Sequence, residues 1–413
     1  MNIWLIMSGE PLEMFGERPH RVGILSKMLV QKGHNVTWFT TTFDHQHKKY
    51  LYNETTKIKS DFGVNMVFLH SDTPYYKNIS FARIKNHKEV GEEFYKVANK
   101  LKKPDIILTA FPTIDLAYYA VKYAKENNIP IVVDIRDLWP DIFLDVLPKF
   151  LKPFGKILLN DYYKKTKYIM KNTNFIIGVS QKYLDYGFKF NNRKKTKFDK
   201  VFPLGFNKMK LNYNIYKKQE EKFKQTGIDK KKIIIWFVGT FGRTYDLMPI
   251  LKVAKELQNE NNLQFVLTGD GENSKKWKKY AENLNNVIFT GWVNKEELEY
   301  LGKISKIGVM AYKKGAPQGL PNKLFEYSAN GLVILSSLRG ETEKILGKEK
   351  IGFTYYNDKD LKEKIILLKN NQELLEQMSQ NAKRLFDERF SADKVYGDMI
   401  EYLENIVKEY KNV

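Results

Sequence analysis

The chain of 413 residues is 43% hydrophobic and carries 69 Lys and Arg against 48 Asp and Glu, a formal net charge of +21. That length exceeds one ordinary α/β domain and implies two, while the charge suits an anionic partner: a nucleotide, a phospholipid surface or nucleic acid. With no cysteine in the sequence, disulfides, a thiolate nucleophile and Cys-ligated metals are excluded.

Met1 to Met7 is a short apolar run followed at once by Ser-Gly-Glu-Pro, without the basic start and long apolar core of a secretory signal, so it reads as a first buried strand. Nowhere do about 18 apolar residues follow one another, so no bilayer span is expected. The expected location is the cytoplasm, with the option of resting on the inner face of the membrane. IWLIM, NVTWFTT, NMVFLH, DIILTA, PIVVDIR and NFIIGVS are strand candidates that alternate with helical segments, which predicts a parallel sheet covered on both faces. The first helix is expected from about Arg18 to Lys32, stopped by Gly33.

The stretch 207–232 is rich in Lys, Asn, Gln and Tyr with little apolar periodicity and reads as a linker. Beyond it, IIIWFVGT, LQFVLTGD, NVIFTGW, IGVMAY, LVILSS and IGFTYY repeat the strand pattern. The expected organisation is therefore an α/β chain of two Rossmann-like domains, 1–206 and 233–388, facing across a cleft. A terminal helical segment, 389–413, has apolar positions spaced to pack back on the first domain.

Several turns carry residue types suited to phosphate. Gly239, Thr240 and Arg243 follow the first strand of the second half, and Gly269 and Gly271 follow the next. Glycines admit close backbone approach and Arg bonds phosphate oxygens bidentately, although a tight turn with a solvated Arg has the same composition. In GAPQGLPNKLFEYSANG, Gly319-Leu320-Pro321 precedes a short helix. Its amides and Lys323 are expected to form an anion site, with Glu326 one turn after Asn322 reaching toward hydroxyls; an ordinary Pro-started helix fits the spacing equally. In DIRDLWPD, Asp137 is the candidate to contact acceptor or donor sugar, against a structural ion pair made by Arg136.

Taken in order, FVGTFGR, LTGDGE, FTGWV and GLPNKLFEY resemble the donor half of the family 4 retaining glycosyltransferases of GT-B fold. SGEPLEMFGERPHRVGILSKMLVQKGHNVTWFTTTFDHQ and VVDIRDLWPD are similar to the subgroup that builds capsule, O-antigen and related polysaccharides. The resemblance covers the chain apart from Tyr75 to Lys103 and the linker. It implies that Arg243 and Lys323 hold the donor diphosphate, that Glu326 contacts the ribose, and that Gly291, Trp292 and Val293 sit against the base. In the first half it puts Gly16 and Arg21 near the donor phosphate, with Arg18 and His20 facing the acceptor side. The sequence departs from the family at Gln318, where a glutamate is common, and at Met248, where a lysine is common.

The implied activity is transfer of a sugar from a nucleotide-diphosphate sugar, UDP in preference to GDP, to a glycan or polyprenyl-diphosphate-linked acceptor. Neither a cofactor nor a catalytic metal is expected, since Asp358-Lys359-Asp360 reads as a helix start. A nucleotide-sugar epimerase of the same architecture, or a nucleotide-sugar-binding partner subunit without turnover, remains open. Lys149, Lys152, Lys156, Lys164, Lys165, Lys167 and Lys171, interleaved with apolar residues, suit an anionic lipid surface or simply a solvated helix face. The spread charge and lack of a recognised module argue against nucleic acid.

Overall fold

The computed structural model describes residues 1–411 except Arg18, Val146, Pro317 and Gln318, and the side chains of Asp145, Lys149 and Lys411 are likewise outside the description. Two compact units emerge: one takes Met1–Leu204 and the chain from Val395 onward, the other Gly205–Lys394.

In the first unit the strands are β1 (Asn2–Ile6), β2 (Asn35–Thr41), β3 (Phe43–Asp44), β4 (Lys49–Tyr50), β5 (Thr56–Lys59), β6 (Asn65–Leu69), β7 (Ile106–Phe111), β8 (Ile131–Ile135), β9 (Phe175–Gly178) and β10 (Lys200–Val201). Eight of them form one sheet in the order β10-β9-β8-β7-β1-β2-β6-β5, while β3 and β4 make a separate hairpin. Every neighbour pair in the large sheet is parallel except β5 with β6. The central strands are buried on both faces, as β7 is at all six residues, because helices cover both sides and a strand with no solvent face can be apolar throughout. Trp4 anchors this core, its ring 4.9 Å from Phe39 and 5.4 Å from Tyr123.

The helix Ala392–Lys411 buries Val395, Met399, Ile400, Leu403 and Ile406. From Val395 it belongs to the first unit, where the Tyr402 hydroxyl donates to the Phe198 carbonyl at 2.8 Å and His34 Nε2 lies 2.9 Å from Glu404 Oε1.

The second unit holds β11 (Ile233–Val238), β12 (Leu263–Thr268), β13 (Val287–Gly291), β14 (Ile307–Met310), β15 (Val333–Ser336) and β16 (Gly352–Thr354), a fully parallel sheet in the order β13-β12-β11-β14-β15-β16. Both units are thus Rossmann-like, and the strand order reverses beside β11, the kind of position where open α/β sheets receive ligands.

One expectation is corrected here. The stretch read as a linker contains a helix, Tyr213–Gln225, whose first turn is capped by Asn212 accepting from the Ile215 amide at 2.9 Å. Only Gln219 and Phe223 are buried on it, and the Phe223 ring stacks on Tyr300 at 5.7 Å, with Lys222 paired to Glu297. One buried aromatic, with the half-buried Tyr216 at 5.1 Å from the same Tyr300 ring, leaves little periodicity to read, so a packed helix has the composition of a tether.

Candidate active site

The second unit builds its site from three strand ends. Beyond β11 the chain turns through Gly239, whose N–H donates to the Thr268 carbonyl at 2.9 Å, and beyond β12 Gly269 donates to the Gly291 carbonyl at 2.9 Å. The Phe241 amide donates to the Asp270 carbonyl at 2.8 Å, and the Asn273 amide returns a bond to the Phe241 carbonyl at 2.9 Å. These bonds lock the loops after β11, β12 and β13 edge to edge. Gly269 is required in this arrangement: its φ is +135°, and a Cβ there would lie 1.9 Å from the Gly239 carbonyl oxygen.

Lys323 enters this cluster from the helix Asn322–Ala329, which starts at Pro321 with extended backbone. Its half-buried side chain brings Nζ within 3.0 Å of the ideal Cβ position of Gly239, with the rings of Tyr245 and Phe237 at 5.0 and 5.8 Å. Among the described residues no carboxylate pairs with it. Arg243, four residues beyond Gly239, is 91% exposed on its side chain and lies 3.5 Å from Glu272, a distance at which solvent leaves the pair little strength. A half-buried ammonium packed against the glycine turn and an exposed guanidinium at the end of that turn are suited to grip an anion placed over it.

Around them, Gly319 is held by its carbonyl, which accepts from Thr342, and Leu320 is half-buried while Asn322 is exposed. Glu326 is half-buried one turn further along the same helix. Thr240 is exposed, Gly291 turns at φ +70°, Trp292 is an exposed indole and Val293 is half-buried. Asp270 caps its own turn, accepting from the Gly271 amide and Ser274, and these bonds hold its carboxyl below the usual range. Met248 begins the helix Met248–Glu256, its amide bonded to Asp246 at 3.1 Å. Asp358 and Asp360 open the helix Asp358–Asn370 and are engaged by Lys252 at 3.1 Å and by Lys364. Gln318 lies outside the described residues.

The first unit treats its expected site residues differently. Arg21 is not free to meet a phosphate. It is almost fully buried, bidentate to Asp134 at 2.9 and 3.2 Å, with its remaining donors on the carbonyls of Phe202 and Pro203 at 3.0 and 2.8 Å. Asp134 also accepts from Arg136 at 2.9 Å, and Arg136 continues to Glu10, so the four side chains form one buried chain of alternating charge. Glu10 closes it at the start of the helix Arg21–Gln31, accepting from the Val22 amide at 3.0 Å. Those helix amides are therefore already satisfied by a carboxylate of the chain itself.

Gly16 is exposed, with its N–H spent on the Glu13 carbonyl at 2.9 Å, and His20 is exposed at the helix N-cap without a capping bond. Asp137 is half-buried and accepts from the Leu138 amide at 2.8 Å; Arg136 and Trp139, rather than Asp137, line the nearest cavity. Arg18 lies outside the described residues. The role of Glu10 was missed in the sequence, where an acid before a proline carries no sign of a partner 12 residues away.

Residues 218–385, inside the second unit, match the family model described as glycosyl transferases group 1. That match supports a glycosyltransferase. No curated protein sequence matches the chain significantly. Among solved structures, the chain is similar to sucrose-phosphate synthase from Thermosynechococcus elongatus, at 15% identity over 99% of both chains with a TM-score of 0.68. It is also similar to HepE from Anabaena in complex with UDP, at 13% identity over 98% of this chain and 99% of that one with a TM-score of 0.64. A putative UDP-N-acetylglucosamine 2-epimerase from Listeria monocytogenes aligns at 11% identity over 99% of this chain and 97% of that one with a TM-score of 0.61. At such identities the likeness establishes the shared fold, the two Rossmann-like domains of GT-B proteins, and leaves the chemistry to the site.

Proposed function

We propose that the chain transfers a sugar from a nucleotide-diphosphate donor, UDP in preference to GDP, to a glycan or polyprenyl-diphosphate-linked acceptor, with retention at the anomeric carbon, in surface polysaccharide assembly at the inner face of the cytoplasmic membrane. The observation that carries this reading is the Lys323 ammonium, without a carboxylate partner, seated against the Gly239 turn. When the anomeric bond breaks, charge develops on the departing diphosphate. Lys323 and Arg243 stabilise it there, the cations coming from side chains in place of a metal. Glu326 and the Gly291 to Val293 turn then serve the ribose and the base. The UDP in the HepE complex supports the preferred nucleotide.

The group 1 family match favours transfer over epimerisation of the donor. A thermal-shift screen of nucleotide sugars tests the reading, because a ligand of the folded state raises the melting temperature. A UDP-sugar is expected to stabilise the chain and Lys323→Ala to abolish the shift. No shift with any nucleotide sugar would end the proposal, and a free epimer formed without acceptor would replace it with the epimerase.

Attachment to an anionic bilayer is part of the same reading. Phe150, Phe154, Ile157 and Leu158, on and just before the helix Lys152–Leu158, are between 66% and 83% exposed, with Lys156 exposed among them. Apolar side chains beside cations suit the boundary between headgroups and acyl chains. Of the other lysines in this region, Lys165 is engaged by Asp115 at 2.7 Å and Asp161 at 2.6 Å, so it contributes to packing. No helix among the described residues is long and apolar enough to cross a membrane. Phosphatidylglycerol vesicles should co-sediment the chain and Phe154→Ser with Ile157→Ser should release it; absence of co-sedimentation at low salt would remove the membrane from the proposal.

A further inference from the structure

The carboxyl ends of β1, β7 and β8 open on a cavity of about 170 Å³ inside the first unit. Arg136 and Trp139 wall it from beyond β8, Tyr75 from the segment after β6, and Arg83 and His87 from the helix Phe81–Ala98; among the described residues no carboxylate lines it. Since liquid water occupies about 30 Å³ per molecule, the space holds more than a single ion.

The charge in these walls is unbalanced. Arg136 is matched by Asp134 and Glu10, but no carboxylate among the described residues pairs with Arg83. One Arg83 terminal nitrogen donates to the Asn78 carbonyl at 2.8 Å, and its buried Nε has no hydrogen-bond partner. Its guanidinium lies over the rings of Trp139 at 5.2 Å and Tyr75 at 5.7 Å. Next to it, Lys48 Nζ reaches Asn78 Oδ1 at 2.8 Å and His45 Nδ1 at 3.3 Å, again without a carboxylate. Asp44, in the same loop as Lys48, is turned to His47 at 2.7 Å and to the amides of Gln46 and His47.

Burial, and then the charge of Arg83, bring His87 down to about 3, and burial, Arg83 and Lys48 together lower His45. Both rings are held toward the neutral form, which donates or accepts a hydrogen bond without adding charge. A guanidinium that lines a cavity without a carboxylate to neutralise it is a group that a bound anion can pair.

We propose that this cavity is the acceptor subsite and takes a sugar bearing an anionic group, phosphate or carboxylate, with the anion on Arg83, the ring flanked by Tyr75 and Trp139, and Lys48 adding its charge from behind His45, outside the cavity wall. The proposal deepens the glycosyltransferase reading and rests on it. It specifies the acceptor as an acidic glycan residue or a phosphorylated sugar.

Isothermal titration of the full chain with glucose 6-phosphate, glucuronate and neutral methyl glucoside tests it, with UDP titrated separately. At least one anionic sugar is expected to bind on the order of tenfold more tightly than the neutral one, as one charge-assisted contact provides. The arm that shows the preference tells phosphate from carboxylate. Arg83→Gln should erase the preference. Lys48→Asn, which suits the left-handed backbone there (φ +55°) and disturbs no core, should weaken it if the Gln variant fails to fold. Equal affinity for all three sugars, or a preference that survives both substitutions, overturns the subsite; failure of UDP to bind the wild-type chain counts instead against the glycosyltransferase reading.

Discussion

The Lys323 ammonium fills the space that a side chain on Gly239 would need, 3.0 Å from the ideal Cβ position. The neighbour is the flexible end of a long side chain and can move, but the backbone of Gly239 at φ +157° is one that alanine adopts only under strain, so Gly239→Ala is expected to displace the cation and to cost about 1 to 3 kcal/mol of stability. A charge-assisted hydrogen bond contributes about 1.5 to 3 kcal/mol, so losing one predicts a rise in the Kd for UDP of roughly ten- to a hundredfold. Isothermal titration of the folded variant reads this directly, and an unchanged Kd would detach Lys323 from the nucleotide.

Gly269→Ala meets backbone rather than the end of a side chain. Its methyl would meet the Gly239 carbonyl oxygen at 1.9 Å on a backbone of φ +135°, and neither strand end can yield without parting the loops. Destabilisation of about 2 kcal/mol or more is expected, together with loss of nucleotide binding. A melting temperature and a UDP affinity equal to those of the parent chain would contradict the close approach of the two turns.

Acid should weaken the first unit through Asp199. Burial raises its carboxyl pKa, but bonds from Arg193, at 2.6 Å from each nitrogen, and from the amides of Thr196 and Ile176 outweigh that and hold it below the ordinary 3.8. A depressed carboxylate contributes its stability above the unfolded pKa, and that contribution fades as pH falls below 3.8 through the folded value. Asp199→Asn should therefore be less stable than the parent at pH 7, by about 3 kcal/mol for a broken buried pair. The difference should shrink in urea titrations run toward pH 2; a gap that stays constant with pH would deny the ion pair its role.

The parallel strands were legible because a strand buried on both faces must be apolar along its whole length, and runs such as Ile233–Val238 have few other uses. Legible too were the turns after β11 and β12, where glycine clusters mark close backbone approach. Partnership was not. Arg21 and Asp134 are 113 residues apart, and an arginine at a helix start has the same letters whether it faces a phosphate or a buried aspartate. Phe223, the one buried apolar residue of its helix, and the half-buried Tyr216 pack on Tyr300, too little for a period to emerge; Phe223→Ala should cost about 3 to 5 kcal/mol in urea unfolding of the second unit, and a loss below 1 kcal/mol would return the stretch to a tether. The cavity draws Tyr75, Arg83 and His87 from the segment outside the family resemblance, so no motif pointed to it.

Arg21 is where the two readings part most sharply, and its substitution separates them. As an anion ligand it would be dispensable for stability and needed for UDP. As the structure has it, Arg21→Met strands Asp134 with only Arg136 to share between it and Glu10, and Asp134→Leu leaves a buried guanidinium without a counterion. Each single change is expected to cost about 3 to 5 kcal/mol, because it leaves an uncompensated buried charge. The double variant removes the pair together and keeps Arg136 with Glu10, so it should recover much of that loss; replacement of a buried pair by apolar groups is often close to neutral. Urea unfolding of the four chains supplies the cycle, and UDP affinity should be the same in every folded member. Full stability in Arg21→Met with UDP binding lost would move Arg21 back to the donor.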